Sequence, residues 1–193
     1  MTSLPLRPLL AIALALGSAS LATISHAEPK PAAAAIGPAV GTRIATGAAL
    51  IESNGRKTTL AAVAHGKPIM VVLFRSAKWC PYCQGQLKSL GPVAAAAKAK
   101  GVGFIAVSYD SPADLAAFAA KQSLTFPLYS DAGSKMALKL RDPRYALDSF
   151  ANGVPYPTIL LIDTTGIVKG KTVETDYKIR PTNADLIATL AKV

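Results

Sequence analysis

The chain has 193 residues, enough for one domain with a sizeable core and too few for two, and it carries a net charge of +10 with only two cysteines. Two cysteines separated by two residues cross-link almost nothing, so a disulfide scaffold is excluded. The basic residues are dispersed rather than run together, which argues against a nucleic-acid interface and fits a solvated surface.

Residues 1–27 read as a secretory signal. Arg7 precedes the apolar run 9–16, and Ser25-His26-Ala27 supplies small residues on either side of a histidine just before Glu28. The alternative is an uncleaved anchor, because residues 8–24 are nearly long enough to span a bilayer, although Gly17, Ser18, Ser20 and Thr23 dilute them. Either way the remainder lies outside the cytosol: periplasmic or secreted if cleaved, membrane-anchored and facing the periplasm if not. Cleavage removes Arg7 and no acid, leaving 20 Lys and Arg against 11 Asp and Glu, a net of +9.

Residues 28–44, rich in alanine and proline and lacking an amphipathic period, are expected to be a flexible leader, and residues 45–193 the folded domain. Asn54-Gly55 between the runs 48–53 and 56–60 signals a β-hairpin, because both residues tolerate positive φ. The apolar run 69–74 follows as a buried strand, and Pro81 opens a helix with apolar positions at Leu87, Leu90, Val93, Ala94 and Ala97, broken or kinked at Gly91-Pro92. Residues 102–108 are the next buried strand. Ser111-Pro112-Ala113-Asp114 starts a helix, 126–129 form a short strand and 134–140 a short helix. Residues 141–157 lack periodicity and read as a long surface loop. A second hairpin turns at Thr164-Thr165-Gly166, and Thr182 to Asp185 caps a last helix burying Leu186, Ile187 and Leu190. The order predicts an α/β fold, a mixed sheet flanked by helices with an N-terminal hairpin extension.

The chemistry concentrates where the first buried strand hands over to a helix, at Trp79-Cys80-Pro81-Tyr82-Cys83. With Pro81 at the first helical position, Cys80 is the N-cap and Cys83 lies one turn in, close enough to form a disulfide with it. Unpaired N–H groups and the positive end of the helix dipole favour thiolate there, so Cys80 is expected to be the exposed, reactive sulfur. An inert structural bond contributes little entropy over so short a loop. Zinc needs two further ligands, and after signal removal His65 is the one histidine left; in Ala64-His65-Gly66 it reads as a loop residue. Trp79 fits equally packing around the site or contact with substrate. No metal or cofactor is implied.

The W-C-P-Y-C stretch resembles the thioredoxin superfamily, with Trp79 similar to thioredoxins and Pro81-Tyr82 to glutaredoxins. Gly153-Val154-Pro155-Tyr156-Pro157-Thr158 resembles that superfamily's cis-proline loop, which implies a cis bond before Pro157 and a substrate groove formed by Trp79, Pro81, Tyr82, Tyr156 and Pro157. Over residues 45–193 the chain resembles the AhpC/TSA, peroxiredoxin-like branch, in W-C-P-Y-C-Q-G-Q-L, A-V-S-Y-D-S-P-A-D-L, F-P-L-Y-S-D and D-Y-K-I-R-P. It departs from the peroxidase motif Pro-x-x-x-Thr-x-x-Cys, with Ser76 at the proline's place, Cys80 at the threonine's and Cys83 at the peroxidatic cysteine's. Phe74 stands where thioredoxins carry a buried acid.

A thiol-disulfide oxidoreductase needs an attacking and a resolving sulfur, which Cys80 and Cys83 supply. A thiol peroxidase needs in addition donors for the peroxide, for which Arg75 and Arg180 are the candidates, although by residue type both are more often surface ion pairs. A third reading is a binding module that kept the fold and lost the activity. The expected partners are a thiol or disulfide protein or small molecule and an electron donor. No nucleic acid is implied, and a membrane only if the signal stays attached.

Overall fold

The computed structural model describes residues 32–131 and 154–193. The expected helix at 134–140 and most of the loop at 141–157 lie outside these residues. Within them runs a seven-stranded sheet in the order β2-β1-β5-β4-β3-β6-β7.

The Asn54-Gly55 hairpin forms as β1 (Ala49–Glu52) and β2 (Lys57–Thr59), with Gly55 at φ +86 in its turn. The next segment differs from expectation: the chain leaves β2 directly into a short helix, α1 (Leu60–Ala64). Five residues are too few to display a helical period. Their ends show what holds them: Thr59 caps the helix by accepting the Ala62 N–H on its hydroxyl at 3.2 Å, and exposed His65 closes it at φ +51.

The centre of the sheet is β3 (Ile69–Leu73), in which every residue is buried. It pairs in parallel with β4 (Gly103–Ser108) and antiparallel with β6 (Thr158–Ile162), so both its faces must be covered. Side-chain alternation divides it. Met70 and Val72 point, with Phe74, into one core with Leu87, Val93, Leu115 and Leu186, while Ile69, Val71 and Leu73 point into a second with Leu50, Leu60, Ile105 and Leu160.

The first core is covered by α2 (Pro81–Ser89), α3 (Gly91–Ala99), α4 (Pro112–Lys121) and α5 (Asn183–Thr189). The break expected at Gly91-Pro92 separates α2 from α3, with Leu90 between them. Short β5 (Leu128–Ser130) pairs in parallel with β4, and β7 (Val168–Val173) completes the second hairpin against β6. The turn between them is fixed by Asp163, whose carboxylate accepts N–H groups from Thr165 and Ile167 at 2.8 and 2.9 Å. These bonds, that from Ile167 foremost, stabilise the ionised form and hold its pKa below the usual carboxylate value.

Residues 32–44, expected as part of a flexible leader, lie instead against β7. Arg43 bridges Ile167, the Gly41 N–H donates to the Val168 carbonyl, and the Lys171 ammonium donates to the Ala34 and Ile36 carbonyls. Ile36 is buried in the second core, which gives this stretch an apolar anchor that its lack of period concealed.

At α5 the Thr182 hydroxyl and N–H both donate to the Asp185 carboxylate, and the Asp185 N–H donates back to the hydroxyl. Thr182→Ala removes this capping box and is expected to cost about 1 kcal/mol, read as a lower denaturant midpoint at unchanged slope.

Candidate functional site

Parallel β3 and β4 end side by side, and the loop 74–80 leaves the end of β3 to start α2, with Pro81 at its first position. The Cys80–Cys83 disulfide lies at this junction with a Cα–Cα distance of 5.3 Å. Cys80 caps the helix: its sulfur accepts the Cys83 N–H at 3.2 Å. The other sulfur has a donor of its own, the Arg180 Nη2 at 3.4 Å from Cys83 Sγ.

Cys80, expected to be exposed, is 1% exposed in this disulfide form, and Cys83 is fully buried. A disulfide is uncharged and apolar, so both sulfurs join the core formed with Phe74, Leu87 and Leu90. Phe74, in the place of the thioredoxin acid, is fully buried in the same core.

Of the two arginines read as candidate donors, Arg180 reaches the disulfide, while Arg75 packs against the Trp79 and Tyr177 rings. Arg180 arrives from the segment between β7 and α5. Its Nε donates to Gln86 Oε1 at 2.8 Å and its Nη1 to the Tyr177 and Ile179 carbonyls at 2.6 Å. Burial, then the nearby Arg75 cation, push the Arg180 guanidinium down to about 10, against the opposite pull of Glu174 and Asp176. It therefore stays cationic at neutral pH, facing Cys83. Arg75 is buried, with its guanidinium 5.0 Å from the Trp79 ring centroid and 4.5 Å from that of Tyr177. Tyr177 in turn meets Tyr82 edge to face at 5.7 Å.

Around the sulfurs, Pro81 and Tyr82 face solvent, while half-buried Trp79 donates its indole N–H to the Tyr109 hydroxyl at 2.8 Å. The expected cis bond before Pro157 is corrected: all peptide bonds among the described residues are trans. Trans is the cheaper isomer even before proline, and the chain bends at Pro157 and passes directly into β6. The Tyr156 ring packs in the second core, away from the one that holds the cysteines. Its carbonyl accepts the Thr158 hydroxyl at 2.9 Å, and that of Pro157 accepts the Glu174 N–H at 3.0 Å.

Several residues of the site were not among the sequence candidates. Gln86 accepts from Arg180. Gln84, one turn into α2, donates its amide to the Ala77 and Lys78 carbonyls at 2.8 and 3.2 Å. Asp110, 5% exposed, accepts the Ser76 hydroxyl at 2.7 Å, the Ala77 N–H at 2.7 Å and the Ser108 hydroxyl at 2.8 Å. The available signal was Ser108-Tyr109-Asp110, a polar residue closing an otherwise apolar strand and an acid two residues beyond it. Among the described residues no cluster of His, Cys, Asp and Glu could hold a metal ion.

The family model for AhpC/TSA proteins matches residues 41–171. The chain belongs to the AhpC/TSA family. Solved structures with the same fold include the peroxidoxin BcpB of Mycobacterium tuberculosis, 21% identical with a TM-score of 0.63, covering 79% of this chain and 96% of that one. A peroxiredoxin-like protein of Aquifex aeolicus is 17% identical with a TM-score of 0.64, covering 81% and 89%. A secreted M. tuberculosis disulfide oxidoreductase, described as homologous to E. coli DsbE, is 20% identical with a TM-score of 0.53, covering 75% and 95%. No curated protein matches in sequence. The fold is thus the thioredoxin-like one, in a family of thiol-dependent redox proteins, and the W-C-P-Y-C pair sits at its strand-to-helix junction.

Proposed function

We propose that the protein is an exported thiol-disulfide oxidoreductase that cycles Cys80 and Cys83 between dithiol and disulfide. The observation that carries this reading is the pair itself: two sulfurs joined at a helix start, each with a hydrogen-bond donor of its own. In the reducing direction the Cys80 thiolate attacks a substrate sulfur, the substrate S–S bond breaks, and one substrate thiolate leaves. The Cys83 thiolate then attacks Cys80 Sγ, closing the disulfide and releasing the second substrate thiolate. Two electrons pass to the substrate. The Cys83 N–H and the helix dipole favour the attacking thiolate on Cys80, and Arg180 favours the resolving thiolate on Cys83.

Exposed Tyr82 and Pro81, with Trp79 beside them, are the surface on which a disulfide-bearing polypeptide or small molecule would rest. Residues 1–27 supply the export signal on this reading, and a membrane enters only if they remain attached. Turnover requires an electron donor to recharge the pair.

One observation favours a second reading. Arg180 addresses Cys83, the sulfur at the peroxidatic place, which is what a hydroperoxide reductase would require. Against it, Ser76 and Cys80 replace the proline and threonine that shape a peroxide pocket.

The test sets the two side by side. Reduced protein is mixed with hydrogen peroxide or with an equimolar protein disulfide, and thiol loss is followed in each. The protein disulfide is expected to consume the thiols faster. Faster loss to peroxide would transfer the assignment to the peroxidase, and loss to neither would end both.

A further inference from the structure

The loop between β3 and Cys80 is held from two sides. Its carbonyls at Ala77 and Lys78 are taken by the Gln84 amide, reaching back from α2. Its N–H groups are taken by side chains: that of Ala77 by Asp110 at 2.7 Å, and those of Lys78 and Trp79 by the Ser76 hydroxyl oxygen at 2.9 and 3.3 Å. The Ser76 hydroxyl donates its proton to the other Asp110 oxygen at 2.7 Å, so one buried carboxylate fixes three consecutive N–H groups, one directly and two through serine. Asp110 is itself anchored, accepting from Ser108 at the end of β4 and offering its carbonyl to Ser130 at the end of β5.

Asp110, Ser76 and Ser108 are all at most 5% exposed, so an unmade bond in this set would leave a polar group without water. The set therefore has one satisfied arrangement, and Cys80 is the next residue along the chain. A disulfide forms between two thiols in proportion to how closely they are held together, so whatever orders the loop before Cys80 raises the effective concentration of one sulfur at the other.

We propose that Asp110, acting through Ser76, is a positioning residue for Cys80 that shifts the pair toward its disulfide. The inference rests on the pair being redox-active. Substitution at Asp110 or at Ser76 releases the loop, lowers the effective concentration and moves the equilibrium toward the dithiol. A residue that merely supported the fold would destabilise the oxidised and reduced proteins equally and leave that equilibrium unchanged.

The experiment equilibrates the wild-type protein, Asp110→Asn and Ser76→Ala in glutathione buffers of graded thiol-to-disulfide ratio. Acid quenching and alkylation then give the oxidised fraction by mass. Both variants are expected to become half-reduced at a glutathione ratio at least tenfold less reducing than the wild type requires. If Asp110→Asn does not fold, Ser76→Ala alone carries the test. A Ser76→Ala midpoint equal to the wild type overturns the proposal, even if Asp110→Asn moves, because the carboxylate would then act on the sulfurs without the loop. A wild-type pair that does not equilibrate with glutathione at any ratio overturns the redox reading, and this inference with it.

Discussion

Cys83→Ser should convert the protein into a trap. Serine preserves the size at this fully buried position and removes the nucleophile, so a mixed disulfide formed at Cys80 has no neighbouring thiolate to resolve it. Intramolecular resolution gains orders of magnitude over attack by a free thiol, so turnover with a protein disulfide should fall by about 100-fold or more. The variant should accumulate adducts that appear as higher bands on non-reducing gels and vanish with reductant, whereas Cys80→Ser should trap little. If the Arg180-facing sulfur attacks peroxide instead, the pattern inverts. Cys83→Ser is then dead toward peroxide, and Cys80→Ser stalls as a Cys83 sulfenic acid that a dimedone probe labels. Neither adducts nor sulfenic acid in either variant would leave only the binding-module reading.

The largest stability effect is expected at Phe74. Its ring is fully buried, follows the last residue of β3, and packs in the core that contains both cysteines. Phe74→Ala should cost about 3–5 kcal/mol, from lost burial plus the cavity left behind. Against a typical total of about 5–15 kcal/mol, this lowers the urea midpoint severely. A loss below about 1 kcal/mol would mean that the neighbours collapse into the space. The same substitution removes a wall of the disulfide's surroundings, so the remaining folded fraction should also be reduced more readily.

The contrast between Phe74 and Asp110 shows what the sequence conveys. Phe74 was legible as the end of a buried strand, and Cys80 and Cys83 as cap and first-turn residues of the helix after it, because such features are set by neighbours along the chain. The Asn54-Gly55 hairpin and the Gly91-Pro92 break are of the same local kind. The meeting of Arg180 with Cys83 joins residues 97 apart, and that of Asp110 with Ser76 joins residues 34 apart. No local pattern encodes such encounters, so Arg180 could be nominated from its motif but its place could not be read. Helix α1 was lost for the opposite reason, being too short to show a period. The trans bond before Pro157 shows that a familiar motif need not carry its backbone isomer with it.

The stretch that runs along β7 also bears on how the molecule behaves among its own copies. A sheet in this order has two rims, and a strand at a rim offers unpaired amides and carbonyls to any other extended chain it meets. At β2 the rim is three residues long and carries an exposed lysine, Lys57, which discourages such pairing. At β7 the amide and carbonyl of Val168 are occupied by residues 41 and 42. A chain trimmed to begin at residue 45 keeps the family's core and the cysteine pair, yet opens that rim to self-association. Gly41 and Thr42 thus serve as a guard for that end of the rim, closing to other copies a position that the core of the sheet leaves open.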